Sequence, residues 1–376
     1  MIIELHVIQN LPPSNVNRGE DGSPKDATFG GVRRSRVSSQ AQKRAVRSAM
    51  AELLGDPSLF GLRSRRHVRR LAEVLGERNP EWTGEQTALL AKTIVAPLAG
   101  SGDDGVTEVQ LFLSLAELER LADLAAEAAD EILSAKKPDP DKIVVDDRKL
   151  SDVVTKALAD PAAVDIALFG RMLANRPERN IDGAVAVAHA IATHRTEFEF
   201  DFFTSVDDLA EPGEPGASMM DITGFVAPCL YRYSVVDVDA YRTIAAGVDP
   251  DLLDAALAAY LETFPTTLPS GKQRSYAAYV PPAFVLGVVR PAGAISLANA
   301  FATPVNPRGN LVGNSIGALV GHWATIDSTF HTDRNRPIAV HVLSAAGSDI
   351  PPPLDAAVFN GPIDRFAQTL VDAATP

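Results

Sequence analysis

The sequence predicts an α+β protein: a small sheet carrying a helical insertion and a protruding hairpin. Three observations lead there. Residues Ile2 to Ile8 alternate as a strand, with Ile3, Leu5 and Val7 on one face. Residues 59 to 137 read as helical. Phe198, Phe200 and Phe202 alternate with Glu197, Glu199 and Asp201 ahead of a turn-rich run, AEPGEPGAS. The order strand, helices, strand, helix, long hairpin, helix, strand, strand does not fit a doubly wound dinucleotide fold.

Taken along the chain, Leu11 to Pro24 is a loop rich in Pro, Asn, Gly and Ser, and a loop of that length is often functional. Ser38 or Ser39 caps a helix that stops at Gly55. Its stripe is Ala45, Val46, Ala49, Met50 and Leu53, while Lys43, Arg44 and Arg47 occupy a separate arc. The next segment opens basic, with Arg63, Arg65, Arg66, His67, Arg69 and Arg70, and closes acidic and amphipathic, LAELERLADLAAEAADEIL. A break at KKPDPDK precedes another helical stretch, Arg148 to Leu158. Asp165 to Met172 is predicted as a strand, and Ile181 to His194 as a helix with a small-residue face. The hairpin returns through MMDITGFVAPCLYRYSVVDV. A helix at Leu252 to Phe264, strands at Phe284 to Val289 and 337 to 345, and a terminal helix at 362 to 374 complete the reading.

Hydrophobic residues make up 46% of the 376, enough for a core, so disorder is not the default. One cysteine, Cys229, excludes an intrachain disulfide framework and any multi-cysteine metal site. No signal peptide and no apolar run of roughly 18 to 20 residues is present, so the expectation is a soluble, cytoplasmic protein with no membrane partner. The formal net charge is −13, yet Lys25 to Arg47 holds seven basic residues and one acid, Asp26. A positive island on an acidic protein calls for a polyanion. The ordinary alternative is a solvated charged face. Three features favour the polyanion: arginine forks suit phosphate, Gly30-Gly31 lets backbone approach a ligand, and the helix N-terminus at Ser38-Ser39 attracts anions.

Little else demands chemistry. Ser270-Gly271-Lys272 lacks Walker A spacing, Gly30-Gly31 is not GxGxxG, and no GxSxG elbow occurs. His189 and His194, five apart, suit no helical metal pair and read as core or helix-end residues. His322, His331 and His341, near Asp327 and Asp333, signal a metal weakly. No cofactor and no catalytic residue are expected. The three phenylalanines of the alternating strand read as core; Phe203 and Met172 fit the core less easily.

The stretch KDATFGGVRRSRVSSQAQKRAVR resembles the N-terminal signature of the CasC family, the repeated backbone subunit of the type I-E CRISPR Cascade complex. The likeness continues, in order, through VDIALFGRM, IDGAVAVAHAIATH, FFTSVDDL, LYRY, GKQRSYAAY and SLANAF. The resemblance implies a modified RNA-recognition-motif (ferredoxin-like) palm over 1–55 and 160–376, helical fingers over 56–159 and a thumb hairpin over 196–230. It implies a non-catalytic subunit with CRISPR RNA, target DNA, other Cascade subunits and further copies of itself, stacked head to tail, as partners. It points to Lys25, Ser38, Gln40, Lys43, Arg44 and Arg47 as RNA contacts, and the basic stretch adds Arg33, Arg34 and Arg36. Met172 and Phe203 match wedge positions beside a displaced base. Lys136, Lys137, Lys142, Arg148, Lys149 and Lys156 are candidate contacts to target DNA. Val32 stands where a relative has lysine, and the thumb tip is divergent. Two alternatives stay open: an RNA-cleaving endoribonuclease of the same superfamily, for which Asp26 is the one acid in the stretch, and a DNA-binding regulator using residues 38–54.

Overall fold

The computed structural model describes residues 1–100, 105–134, 154, 156–206, 208, 217–345 and 350–375. Its strands are β1 (Ile2–Asn10), β2 (Asp26–Phe29), β3 (Val32–Val37), β4 (Leu62–Ser64), β5 (Leu111–Leu113), β6 (Val185–Val187), β7 (Ala190–Ala192), β8 (Glu199–Val206), β9 (Ala217–Phe225), β10 (Cys229–Asp237), β11 (Phe284–Arg290) and β12 (Ala339–Ser344). The chain divides into two compact units. One comprises Met1–Leu53, Ala186–Asp237 and Leu257–Pro376; the other comprises Leu54–Val185 and Val238–Ala256. No helix among the described residues is long and apolar enough to cross a membrane.

The first unit is built on an antiparallel sheet in the order β12-β11-β1-β10-β7-β3-β2. β1 lies between β10 and β11, and helices packed on the sheet bury both of its faces. On one face Gly287, opposite Leu5, admits Leu370 and Phe366 of the helix Ile363–Ala374; a Cβ there would meet Leu370 at 2.6 Å. The other face packs Ile8, Tyr231, Leu286 and Val288 with Ile316, Leu319 and Trp323 of the helix Leu311–Phe330. That face also holds the polar positions of the β1 alternation. Glu4 forms a fully buried ion pair with Arg290 at 2.5 Å and accepts from the Tyr233 hydroxyl at 2.7 Å.

His6 is fully buried beside Tyr231. The Tyr231 hydroxyl accepts from the Leu297 amide at 3.0 Å and shares a hydrogen bond with His6 Nδ1 at 2.9 Å. Burial, with the nearby Arg290 charge second, pushes the imidazole down to about 3. The folded value lies below the unfolded one, so this stability is complete above pH 6.5 and lost as pH falls toward 3. Glu4, held above its ordinary range by burial, slopes the other way. A His6→Gln variant isolates the histidine: its denaturation midpoint should fall less between pH 6.5 and 4 than the parent's. The parent's extra loss from His6 should approach about 1.4 kcal/mol per pH unit. Parallel pH profiles would show that His6 is not the titrating group.

Two predicted elements change class. Residues 181–194 are not a helix. β7 sits inside the sheet, paired to β3 through Arg36↔Ile191 and to β10 through Leu230↔Ala192. Sheet pairing outweighs the helical tendency of an alanine-rich run. Residues 165–172 are not a palm strand; Val164–Phe169 is a helix ended by Gly170 at φ 79°.

The second unit is mainly helical: α1 (Ser39–Leu54) ends where it begins, and α2 (His67–Arg78), α3 (Gly84–Ala99), α4 (Leu115–Glu127) and α5 (Ala129–Ser134) follow. Leu71, Leu75, Leu90, Ile94, Leu118, Leu121 and Ile132 form its core. Capping boxes at Thr83/Gln86 and Ser114/Glu117 start α3 and α4. The unit also takes in residues 160–185 and 238–256, which the sequence reading gives to the palm. Packing explains part of this: Ala163 and Ile166 join Phe112, Asp165 Oδ1 accepts from Gly61 N at 2.8 Å, and Arg171 forms a fully buried ion pair with Glu117 at 2.5 Å.

Candidate nucleic-acid interface

The basic stretch folds as a hairpin followed by a helix. β2 and β3 pair in the register Asp26↔Ser35 to Phe29↔Val32, closed by Gly30 (φ 59°) and Gly31 (φ 77°). Two successive positive φ values make a tight hairpin turn that glycine suits best. A Cβ on Gly30 would also lie 1.7 Å from Ala302 O. The glycine pair is therefore explained by the turn and by packing, without a ligand.

The three arginines of β3 have three different roles. Arg33 is exposed, ion-paired with Asp26 and laid over the Phe198 ring at 4.1 Å from its centroid. Arg34 is fully buried. It donates to Phe29 O, Ala192 O and Phe301 O at 3.2, 3.1 and 2.8 Å, which removes it from the RNA-contact set. Arg36 donates to Asp26 O at 3.1 Å and to His189 Nδ1 at 2.7 Å. A guanidinium only donates, so His189 Nδ1 accepts and its proton sits on Nε2. Burial, then Arg36 and Lys25, hold His189 below its ordinary value. The sequence reading places His189 in a core or at a helix end; it is instead exposed, in the turn between β6 and β7, beside two cations.

Ser38 Oγ accepts from Ala41 N at 3.3 Å, and Ser38 N donates to Asn17 Oδ1 at 2.8 Å, so Ser38 serves the fold as a cap. Gln42, Val46 and Met50 form the buried side of α1. Gln40, Lys43, Arg44 and Arg47 recur at i, i+3, i+4 and i+7, so they share one flank of the helix, adjoining the buried stripe. Gln40 and Arg44 are exposed, Lys43 and Arg47 half-buried. Burial lowers the Lys43 ammonium from its ordinary value. The Arg44 guanidinium has no partner among the described residues.

Among the described residues β8 and β9 pair only with each other. On one face Phe200, Phe202 and Ile222 are exposed, with Phe202 opposite Ile222. The core assignment for Phe200 and Phe202 fails because no layer among the described residues covers that face. A cavity of about 640 Å³ lies at the root of this hairpin, lined by Arg33, Arg195, Phe198 and Phe200 among others. Arg195 is exposed and unpartnered among the described residues. Guanidinium groups beside open aromatic faces can hold phosphate and stack a base at once. Arg195 went unmarked in the sequence, and Phe200 was assigned to the core; the signal for Arg195 was the strand alternation that follows it.

The sequence pattern of the CT1975-like protein family matches residues 3–357. The chain belongs to that family. It is also similar, over 100% of both chains, to a chain of "CRISPR RNA-guided surveillance complex, pre-nicking", at 30% identity and TM-score 0.83. A chain of another "CRISPR RNA-guided surveillance complex" matches at 26% identity and TM-score 0.73, again with full coverage of both. No curated protein matches it. The fold is accordingly α+β, a modified RNA-recognition-motif palm with a helical insertion and a hairpin thumb.

Within this family member the remaining predicted residues are dispersed. Phe203 lies across from Asp221 on the hairpin's other face and is 39% exposed. Met172 belongs to the helical unit and is 76% exposed, immediately after the buried Arg171. Lys156 is exposed beside Arg120 and Asp123. Lys136, Lys137, Lys142, Arg148 and Lys149 lie outside the described residues. Among the described residues no three His, Cys, Asp or Glu side chains gather as a metal site.

Proposed function

We propose that this chain is the repeated backbone subunit of a type I-E CRISPR surveillance complex, the CasC role. It holds CRISPR RNA by its phosphates and leaves guide bases free to pair with target DNA. The observation that carries this is the α1 flank of Gln40, Lys43, Arg44 and Arg47, together with the Lys25–Arg36–His189 cluster of the same unit. Cations without base-edge readers give affinity without sequence preference, which a subunit serving any spacer needs. Recognition then falls to base pairing. Open aromatics on β8–β9 suit displacement of a nucleotide regardless of its identity. Copies stacked along the guide, other subunits and a cytoplasmic setting complete the proposal.

The chain acts without catalysis in this reading. The competing endoribonuclease reading gains one observation, the exposed His189, and loses another, because Asp26 is engaged by Arg33. Co-expression with CRISPR RNA and partner subunits should yield a particle with intact guide, unchanged by His189→Ala; guide lengthening in that variant would support cleavage. Lys43→Ala/Arg44→Ala should weaken RNA binding by at least about tenfold for unrelated spacers. Its log–log salt slope should become less steep by about 1.4, for two contacts on a single strand. A monomer that retains no RNA, or a loss confined to one spacer, would contradict the proposal.

A further inference from the structure

Phosphates are common to RNA and DNA, so contacts to them do not separate the two. The ribose 2′-hydroxyl does, since it belongs to RNA alone and both donates and accepts. A surface that holds a guide by its phosphates therefore needs a second kind of group for the sugar. Such a group is polar and uncharged, stands exposed beside a phosphate-binding cation, and is held in one orientation. His189 meets each of these conditions.

Three strands of one unit fix its surroundings. Arg36 of β3 lies opposite Ile191 of β7, and its Nε donates to Asp26 O of β2 at 3.1 Å. Its Nη1 donates to His189 Nδ1 at 2.7 Å. The residue before the ring is held as well: Ala188 N donates to Tyr233 O at 3.0 Å, and Ala188 O accepts from Gln42 Nε2 at 2.9 Å. Gln42 lies between Gln40 and Lys43 in α1, so this bond ties the His189 turn to the helix that carries the basic flank.

Because Nδ1 accepts, the ring is neutral, and burial, Arg36 and Lys25 all oppose its protonation. A neutral imidazole adds no charge for a phosphate. It offers one N–H, at Nε2, which has no partner among the described residues. The other uncharged groups are less suited. Ser38 Oγ caps α1. Ser39 Oγ donates to Gln40 Oε1 at 3.3 Å, and among the described residues that contact alone orients the Gln40 amide.

We infer that His189 reads the ribose. Its Nε2–H donates to the 2′-hydroxyl oxygen of a guide nucleotide whose phosphate lies against Lys25 and Arg36, and this contact makes the interface prefer RNA to DNA. The inference rests on the guide-RNA reading and gives it a source of sugar selectivity, which the cations alone do not supply.

The test uses the full-length chain and single strands of one sequence made as RNA, DNA and 2′-fluoro RNA. The fluoro strand keeps the sugar pucker of RNA but lacks the hydroxyl, which separates contact from shape. The parent should bind RNA more tightly than either of the others. His189→Ala should shrink that preference by about fivefold, as for one lost uncharged hydrogen bond, chiefly by weakening RNA. Its binding of DNA then reports that the surface is still folded. The log–log salt slope should stay as in the parent, whereas a lost phosphate contact would flatten it by about 0.7. His189→Gln, whose amide can place an N–H near the Nε2 position, should recover most of the preference. The guide in a His189→Ala particle should keep its length, so selectivity and cleavage are told apart. The inference is overturned by a parental preference in His189→Ala, by a flattened slope in that variant, or by fluoro RNA binding the parent as tightly as RNA. If the parent holds RNA and DNA alike while Lys43→Ala/Arg44→Ala weakens both, this inference fails and the guide-RNA reading stands. A parent that holds no strand removes both.

Discussion

Arg232→Met is expected to lower the unfolding free energy by about 3–5 kcal/mol, a large effect for one substitution. Arg232 is buried on β10 and satisfies four acceptors: Gln42 Oε1 at 3.1 Å, Gln9 Oε1 at 2.7 Å, Pro265 O at 3.1 Å and Phe264 O at 2.5 Å. Burial pushes it down to about 10, which still leaves it charged at neutral pH. The two amides cannot turn away. Gln9 Nε2 donates to Val280 O at 2.8 Å and Gln42 Nε2 to Ala188 O at 2.9 Å, so each oxygen is fixed toward the guanidinium. Methionine fills much of the volume and relieves the burial of a charge, but it leaves four oriented oxygens without a donor. At about 1–3 kcal/mol for each stranded group, the loss outweighs the relief. Lysine cannot repair this, since its ammonium has three donors and no planar fork. Gln42 belongs to the buried side of α1, so RNA binding should fall with stability. Equilibrium denaturation of both variants checks the result; an Arg232→Met protein as stable as its parent would show that the network is not stabilising.

How far the sequence could be read follows from which physical signal each element carries. β1 was legible because its alternation is strong, and α1 because its cap, its stripe and Gly55 agree. Residues 181–194 were not, because β7 is a strand through its pairing with β3 and β10, which local periodicity does not report. Val164–Phe169 is a short apolar run, and such runs do not separate helix from strand. Alternation at Phe198–Phe202 identified a strand but not which face is covered, since coverage depends on a layer that is absent there among the described residues. Charge in Lys25–Arg47 marked the interface correctly as a region, yet charge alone could not sort exposed arginines from a buried one. Burial along VRRSRV does not alternate, with Arg33 exposed and Arg34, Ser35 and Val37 buried, so strand periodicity did not carry that information either. His189 was lost to the same helical misreading that displaced β7.

Arg34 and Arg33 are neighbours whose loss should separate fold from function. Arg34→Met strands three backbone oxygens, at Phe29, Ala192 and Phe301, that the guanidinium now joins. Those contacts tie the β2–β3 hairpin to β7 and to the Phe301 segment, against which the Gly30 turn is already pressed at Ala302. The expected loss is about 3 kcal/mol of unfolding free energy, with weaker RNA binding as a consequence of a loosened hairpin. Arg33→Met removes an exposed ion pair with Asp26 and the stacking on Phe198. Its effect on stability should stay within about 1 kcal/mol, while RNA affinity falls and the salt slope flattens by about 0.7, as for one lost phosphate contact. Chemical denaturation and RNA binding, both measured well below the unfolding transition, distinguish the two. If Arg34→Met kept full stability and lost RNA binding alone, Arg34 would be a ligand contact after all, reached through an opening of the hairpin. If Arg33→Met lost stability like its neighbour, the exposed face of β3 would belong to the scaffold, and the RNA surface would shrink to α1 with Lys25, Arg36 and His189.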